Sequence, residues 1–473
     1  MKRIAALFLT LALLLTLSAC KEEVEEADTS LDSDRGFIHY AATGGACATE
    51  DTVYYTARMG MGSQLVRYYE KASGVGGVLC GKPECGHSAA NDSACNAFVG
   101  GASSLCVYSN RLYWIRSKSI YSMALDGSDH RLERSVGSGV YSDHHGVNSA
   151  VIHRGYAYIW VLNYKVRDGQ EIGFLELSAV PLDPDGEVSQ IFSWELDTFA
   201  VSRSPFVTMQ AYGDALYIFT NIAGNDSGAP DGDIDFYDFK IQRYDAVTQE
   251  LATLYHDGES QLHYTVELWA MDNGIVFMGD DESGRHILRF DFESGGLTPL
   301  FDSTVGMTRI AEDLVVRYTY DSERANPTNP WGLTLAPQDI ERSVELKVVI
   351  RSFAGDILVD GVYPLNGLYS RPEFLGNDDT YAYFLDGAFY SDNDGQSSYT
   401  SLIGVALDGS GMEVLCTEEE YFPHEGTNRH TTSTTTLDDG TTVVVVDGKT
   451  ITVTAPDGEA VTMTVEELLE NGW

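Results

Sequence analysis

The residues best suited to chemistry lie in one short stretch, Cys80-Gly81-Lys82-Pro83-Glu84-Cys85-Gly86-His87, followed by Cys95. Three thiols and one imidazole are a ligand set that zinc takes in tetrahedral geometry. The spacing C-x4-C-x-H-x7-C matches no common zinc module, and haem attachment would need C-x-x-C-H. The competing chemistry is oxidation. Apart from Cys20 the chain carries Cys47, Cys80, Cys85, Cys95, Cys106 and Cys416. An even set in an exported protein reads as disulfides. Both readings of the loop stand open on the sequence alone.

Other groups are more dispersed. Asp231, Asp233, Asp235 and Asp238 alternate, as calcium-binding oxygens can, but the EF-hand pattern fails at Phe236 and Gln242. That run reads as a solvated acidic loop, as does Asp392-Asn393-Asp394-Gly395. Asp143-His144-His145, His424 and His430 are scattered, and adjacent strand residues face opposite ways. The chain has no G-x-S-x-G, H-E-x-x-H, Walker loop or dinucleotide fingerprint. Zinc or calcium are therefore the conceivable cofactors, and the leading expectation is none.

The elements that must hold these groups come from a repeat. Short aromatic or β-branched runs recur at Val53-Tyr54-Tyr55, Leu112 to Ile115, Tyr156 to Ile159, Leu216 to Phe219, Ile275 to Met278, Leu314 to Val316 and Tyr381 to Phe384. Candidate strands precede several of them, as at Leu105 to Tyr108 and Val207 to Tyr212. Alternating strands follow, and two of these, Ile120 to Ser128 and Leu402 to Ser410, run into the same Leu-Asp-Gly-Ser turn. Four short strands per unit of roughly 40–60 residues indicate β-propeller blades, here seven. Segments 221–239, 322–343 and 387–400 read as long loops extending one rim. Phe236, Tyr237, Trp331 and Tyr390 lie in or beside them as candidate binding aromatics.

These blades resemble the TolB-like and WD40-like bacterial propellers over Ala46 to Cys416, a likeness that speaks to fold rather than function. The blade alignment places Cys47 and Cys106 at equivalent first-strand positions. It ends the fourth strands of blades one and seven at Cys80 and Cys416. The expected disulfides accordingly join Cys85 to Cys95 within the loop and cross-link Cys47, Cys106, Cys80 and Cys416 near the ring closure. After the propeller, residues 36–416, comes a Thr-rich linker with a small β-meander, residues 417–473, built from Thr441 to Val446, Thr450 to Thr454 and Ala460 to Val465.

The first 19 residues read as a leader: Lys2 and Arg3, then an apolar run from Ile4 to Leu17. Leu17-Ser18-Ala19-Cys20 resembles the bacterial lipobox, which implies cleavage before Cys20 and a diacylglyceryl anchor on its thiol. Residues 20–35 are an acidic tether. The net charge of −41 makes nucleic acid an unsuitable partner. It also leaves attachment to the membrane to the lipid. The expected function is a lipoprotein on the extracytoplasmic face whose propeller binds an envelope protein, peptide or glycan without catalysis. The alternative is a carbohydrate-active hydrolase or lyase.

Overall fold

Period-two alternation becomes strand almost everywhere it occurs. The computed structural model describes residues 45–464 except 86, 88–94, 137–149, 321–343, 424–431 and shorter stretches between strands. The fold is a seven-bladed β-propeller in which every blade is a four-stranded antiparallel meander in chain order. Blade one comprises β1 (Ala46–Ala48), β2 (Thr52–Met59), β3 (Ser63–Glu70) and β4 (Val75–Val78). Blade two comprises β5 (Ser103–Tyr108), β6 (Arg111–Arg116), β7 (Ser119–Ala124) and β8 (Arg131–Ser135). Blade three holds β9 (Ala150–His153), β10 (Tyr156–Arg167), β11 (Gln170–Pro181) and β12 (Ser189–Leu196). Blade four holds β13 (Phe206–Tyr212), β14 (Ala215–Gly224), β15 (Phe236–Asp245) and β16 (Leu251–Ser260). A single helical turn, α1 (Thr198–Ser202), joins them, capped by the Asp197 carboxylate on the Ala200 amide at 2.7 Å.

Blade five is β17 (His263–Met271), β18 (Gly274–Asp281), β19 (Gly284–Asp291) and β20 (Leu297–Ser303). Blade six is β21 (Met307–Ala311), β22 (Leu314–Tyr320), β23 (Val344–Ser352) and β24 (Ile357–Leu365). Blade seven is β25 (Glu373–Asn377), β26 (Tyr381–Ser391), β27 (Gly395–Ala406) and β28 (Met412–Pro423). A separate four-stranded sheet ends the chain: β29 (Thr432–Thr436), β30 (Thr442–Val446), β31 (Thr450–Thr454) and β32 (Ala460–Thr464). The expected three-strand meander thus gains β29. Its strand lies in the Thr-rich stretch, where β-branched residues favour a strand without any apolar alternation to announce it.

All seven aromatic runs are second strands, each flanked on both sides within its sheet. The two Leu-Asp-Gly-Ser turns share one geometry. Asp126 and Asp408 accept the Ser128 and Ser410 amides at 2.9 and 2.8 Å, and Gly127 and Gly409 take φ of 78° and 77°. Two of the three anticipated loops are largely hairpin. Asn221 pairs with Phe239 and Gly224 with Phe236, while Gly387 pairs with Thr400 and Ser391 with Gln396. Polar but strand-competent residues there conceal the continuation.

The chain forms two compact units. One spans Ser104–Ser260, with blades two to four; the other joins Ile38–Ser103 to Gln261–Trp473. In the first, blades three and four interleave Tyr158, Leu175, Leu177 and Phe192 with Met209, Leu216, Ile218 and Tyr244. In the second, blades six and seven share Tyr318, Leu346, Val348, Phe374 and Phe384. Blade one packs against blade seven through Val53, Tyr55 and Tyr69 against Leu375, Tyr383, Leu385 and Leu402. Each of these two blades is completed by its own stretch of chain, so among the described residues no strand is exchanged across the seam.

Candidate metal centre

The thiol-rich segment leaves blade one at the end of β4 and returns to β3. Both of its arms are pinned on one residue. The Leu79 amide donates to the Val66 carbonyl at 2.9 Å, and the Val66 amide donates to the Ala97 carbonyl at 2.9 Å. Phe98 forms a β-bridge with Leu65. This pinning brings Cys80 and Cys95, distant in sequence, to the same place. Cys80 donates its amide to the Val78 carbonyl at 3.0 Å, and Cys85 to the Lys82 carbonyl at 3.2 Å, which folds the Lys82-Pro83-Glu84 turn inward. His87 adopts φ of 50°, a left-handed conformation uncommon for a side-chain-bearing residue.

One ligand atom from each of Cys80, Cys85, His87 and Cys95 lies within 4.8 Å of every other. Cys95 is 3 % exposed, and the other three are half-buried. The His87 Nδ1 to Cys95 Sγ distance is 3.6 Å. Around the cluster Leu65, Cys95 and Ala97 are buried, with Val78, Cys80, Cys85 and Phe98 against them, and Leu79 and Val99 are buried on the two arms. The two outermost cysteines differ in their hold on a proton. Burial raises the Cys80 thiol, but amides of Lys82 and Asn96 and the thiols of Cys95 and Cys85 outweigh it, and the net shift is downward. Burial pushes the Cys95 thiol up to about 12, against the pull of the Ala97 amide. The two sulfurs thus differ in direction: hydrogen bonds ease ionisation of Cys80, and burial opposes it at Cys95.

None of the six described cysteines is joined in a disulfide. Cys47 sits in β1 opposite Tyr54, and Cys106 in the core shared by blades two and three. Cys85 and Cys95 belong to the thiol cluster, as does Cys80. Cys416 instead lies against Gly76 of β4, where an added Cβ would stand 2.6 Å from its Sγ. It also bonds the Tyr55 hydroxyl, and burial raises both groups. Cys80 and Cys416 look equivalent in sequence, but Cys80 has already left β4 at Val78, whereas Cys416 is still paired with Leu402.

The other candidates do not converge. Among the described residues, the thiol set is the one group of three or more His, Cys, Asp or Glu close enough to hold an ion. The acidic run of blade four is spent locally: Asp238 pairs with Lys240 at 2.6 Å and His256 at 2.7 Å, and Asp235 accepts the Asp226 amide at 2.8 Å. The Phe236 ring lies over Gly224, where any Cβ would collide with it, so it caps its own hairpin. Tyr237 is half-buried in β15. Trp331, Asp143-His144-His145, Asp231, Asp392 to Asp394, His424 and His430 lie outside the described residues, as do Cys20 and the side chain of Tyr390.

Sequence reading passed over two sites. His153 is buried at the end of β9, and burial lowers its pKa to about 4, so it is neutral at physiological pH. Asp378 sits at the seam. It accepts the Thr380 and Tyr381 amides at 2.8 and 2.9 Å and the Tyr383 hydroxyl at 2.6 Å, and it pairs with Lys71 of blade one at 2.8 Å. An Asp three residues before a strand aromatic was the available signal for this turn.

No protein-family model matches the chain, and no curated protein does. Among solved structures, a puromycin-hydrolyzing peptidase of Mycobacterium tuberculosis is 11 % identical, with a TM-score of 0.45, covering 92 % of this chain and 62 % of its own. A prolyl endopeptidase is 10 % identical at a TM-score of 0.44, and this chain spans 56 % of its length. TolB from Acinetobacter baumannii is 12 % identical at a TM-score of 0.31, covering 79 % of each chain. Likeness at this level carries nothing about activity.

Proposed function

We propose that this protein is an extracytoplasmic lipoprotein, anchored through Cys20, whose propeller is a non-catalytic binding scaffold at the cell envelope. The leader and the Leu-x-x-Cys ending support the address. The observation that carries the binding role is the lengthening of one kind of connection. The hairpin between the second and third strands is extended in blade three to Arg167–Gln170, in blade four to Gly224–Phe236 and in blade seven to Ser391–Gln396. At the first of these tips Val166 is 75 % exposed, and Ile234 beside the second is 40 % exposed. Apolar side chains held in water on rigid hairpins suit a partner that covers them.

The test places a photo-crosslinking residue at Val166 in intact cells. The reading expects one discrete envelope adduct, lost when the hairpin tip is shortened. A Cys20→Ser chain should lose fatty-acid labelling and its membrane fraction. Membrane retention without Cys20 would overturn the anchor, and no adduct at either hairpin tip would overturn the binding role.

A further inference from the structure

We propose that Cys80, Cys85, His87 and Cys95 bind one Zn²⁺ as a closed, structural site, with His87 ligating through Nδ1. The inference stands apart from the anchor and from the partner. Its first support is metric. A tetrahedron with Zn–S of about 2.3 Å and Zn–N of about 2.0–2.1 Å has a sulfur–nitrogen edge of roughly 3.6 Å. The His87 Nδ1 to Cys95 Sγ separation is 3.6 Å, and all four ligand atoms fall within 4.8 Å of one another. An ion at the centre needs little rearrangement of these side chains.

The second support is the surrounding shell. Cys80 takes hydrogen bonds from the amides of Lys82 and Asn96, and Cys95 from the amide of Ala97. Each of these sulfurs therefore accepts from the amide two residues further on. Such bonds orient a thiolate and offset its charge, as outer-shell partners of metal ligands do. Three thiolates and an imidazole are soft and borderline ligands that select zinc over the hard cations that take oxygen. Four protein ligands leave no position for water or substrate, so the site is structural rather than catalytic.

The third support is need. Around the cluster Leu65, Leu79, Cys95, Ala97 and Val99 are buried, and Leu65, Cys95 and Ala97 form one small apolar group. Metal binding couples to the folding of the segment that carries the ligands, so coordination adds a hold on this connection beyond its apolar contacts. No disulfide joins these thiols, and an odd set of three could pair only two.

The test uses the full chain, produced with zinc supplied and purified without chelator or oxidant. Elemental analysis should give about one zinc per chain. Cobalt substituted for zinc should show sulfur-to-cobalt charge transfer and the intense visible bands of a tetrahedral ion. His87→Ala should lower zinc affinity by more than the ~10–100-fold that loss of an outer-shell partner costs. His87→Cys should restore it, and Cys416→Ser should keep full zinc content. Because Cys95 is buried, a Cys95→Ser chain that misfolds is read through the His87 pair instead. Zinc well below one equivalent in folded protein, or a Cys85–Cys95 disulfide by peptide mapping, would overturn the proposal. So would an unchanged zinc content in His87→Ala.

Discussion

Blade one is held at two places by opposite means. At its seam with blade seven, Tyr55, Tyr69 and Tyr383 pack with Leu375, Leu385 and Leu402, and a shielded ion pair sits among them. At the thiol loop, a small apolar group on Leu65, Cys95 and Ala97, two backbone hydrogen bonds to Val66 and the Phe98 bridge to Leu65 do the holding beside four clustered ligand groups. Burying one large apolar side chain contributes about 1.5–3 kcal/mol. The seam has enough of them to order itself. Ordering the loop backbone costs about 1–2 kcal/mol per residue, and coordination of its four ligand groups would contribute toward that cost. The contrast is between packing that suffices and packing that requires coordination beside it. It explains why one site is rich in aromatics and the other in ligands.

The largest effect that would break this contrast is expected at Asp378. Asp378→Ala strands Lys71, the Tyr383 hydroxyl and two turn amides together, and should cost about 3–5 kcal/mol in denaturant unfolding. Zinc content should be unchanged, because the thiol loop has no share in the seam. Next comes Gly76→Val. Its Cβ would stand 2.6 Å from Cys416 Sγ and 3.1 Å from the Tyr68 carbonyl. Overpacking of this kind costs about 1–3 kcal/mol. Adding Cys416→Ala should recover part of the loss in a double-mutant cycle, whereas the same second substitution should do nothing for the zinc loop.

A smaller effect sharpens the seam through pH. Burial raises the Asp378 carboxyl, but Lys71, the Tyr383 hydroxyl and the Tyr381 and Thr380 amides outweigh it and hold it below 3.8. A carboxyl depressed in the folded state contributes fully above its unfolded value and loses that contribution as pH falls through the folded one. Wild-type stability should therefore keep this contribution down to about pH 4 and shed it below, and Asp378→Asn should flatten that limb of the profile. Smallest is Lys71→Met. It leaves Asp378 its hydroxyl and amide donors, and should cost about 1 kcal/mol, with the loss reduced in high salt.

The sequence announced the blades where alternation met aromatic residues, as at Leu112 to Ile115 and Leu216 to Phe219. Those positions are second strands, flanked on both sides, so burial is written into them. It concealed strands whose own residues do not alternate apolar with polar. The hairpin from Gly387 to Thr400 and the strand at Thr432–Thr436 are paired by backbone register. The four ligands of the thiol loop were legible as a set. What the sequence did not show was the double hold on Val66 that brings Cys80 and Cys95 together, and the convergence of all four groups within 4.8 Å, both tertiary features with no local signature. The seam was half legible: Cys416 was placed beside blade one, but opposite Cys80 rather than Gly76, because strand ends are less visible than strand centres.

The central claim is that the loop depends on metal and the seam does not. Hydrogen exchange on the full chain, before and after zinc removal by chelator under reducing conditions, tests it directly. The account predicts that the amides of Leu79, Cys85 and Phe98, with the Val66 amide they flank, lose protection on zinc removal. The amides of Tyr381 and Tyr55 at the seam should keep theirs. Equal loss at both places, or none at the loop, would contradict it.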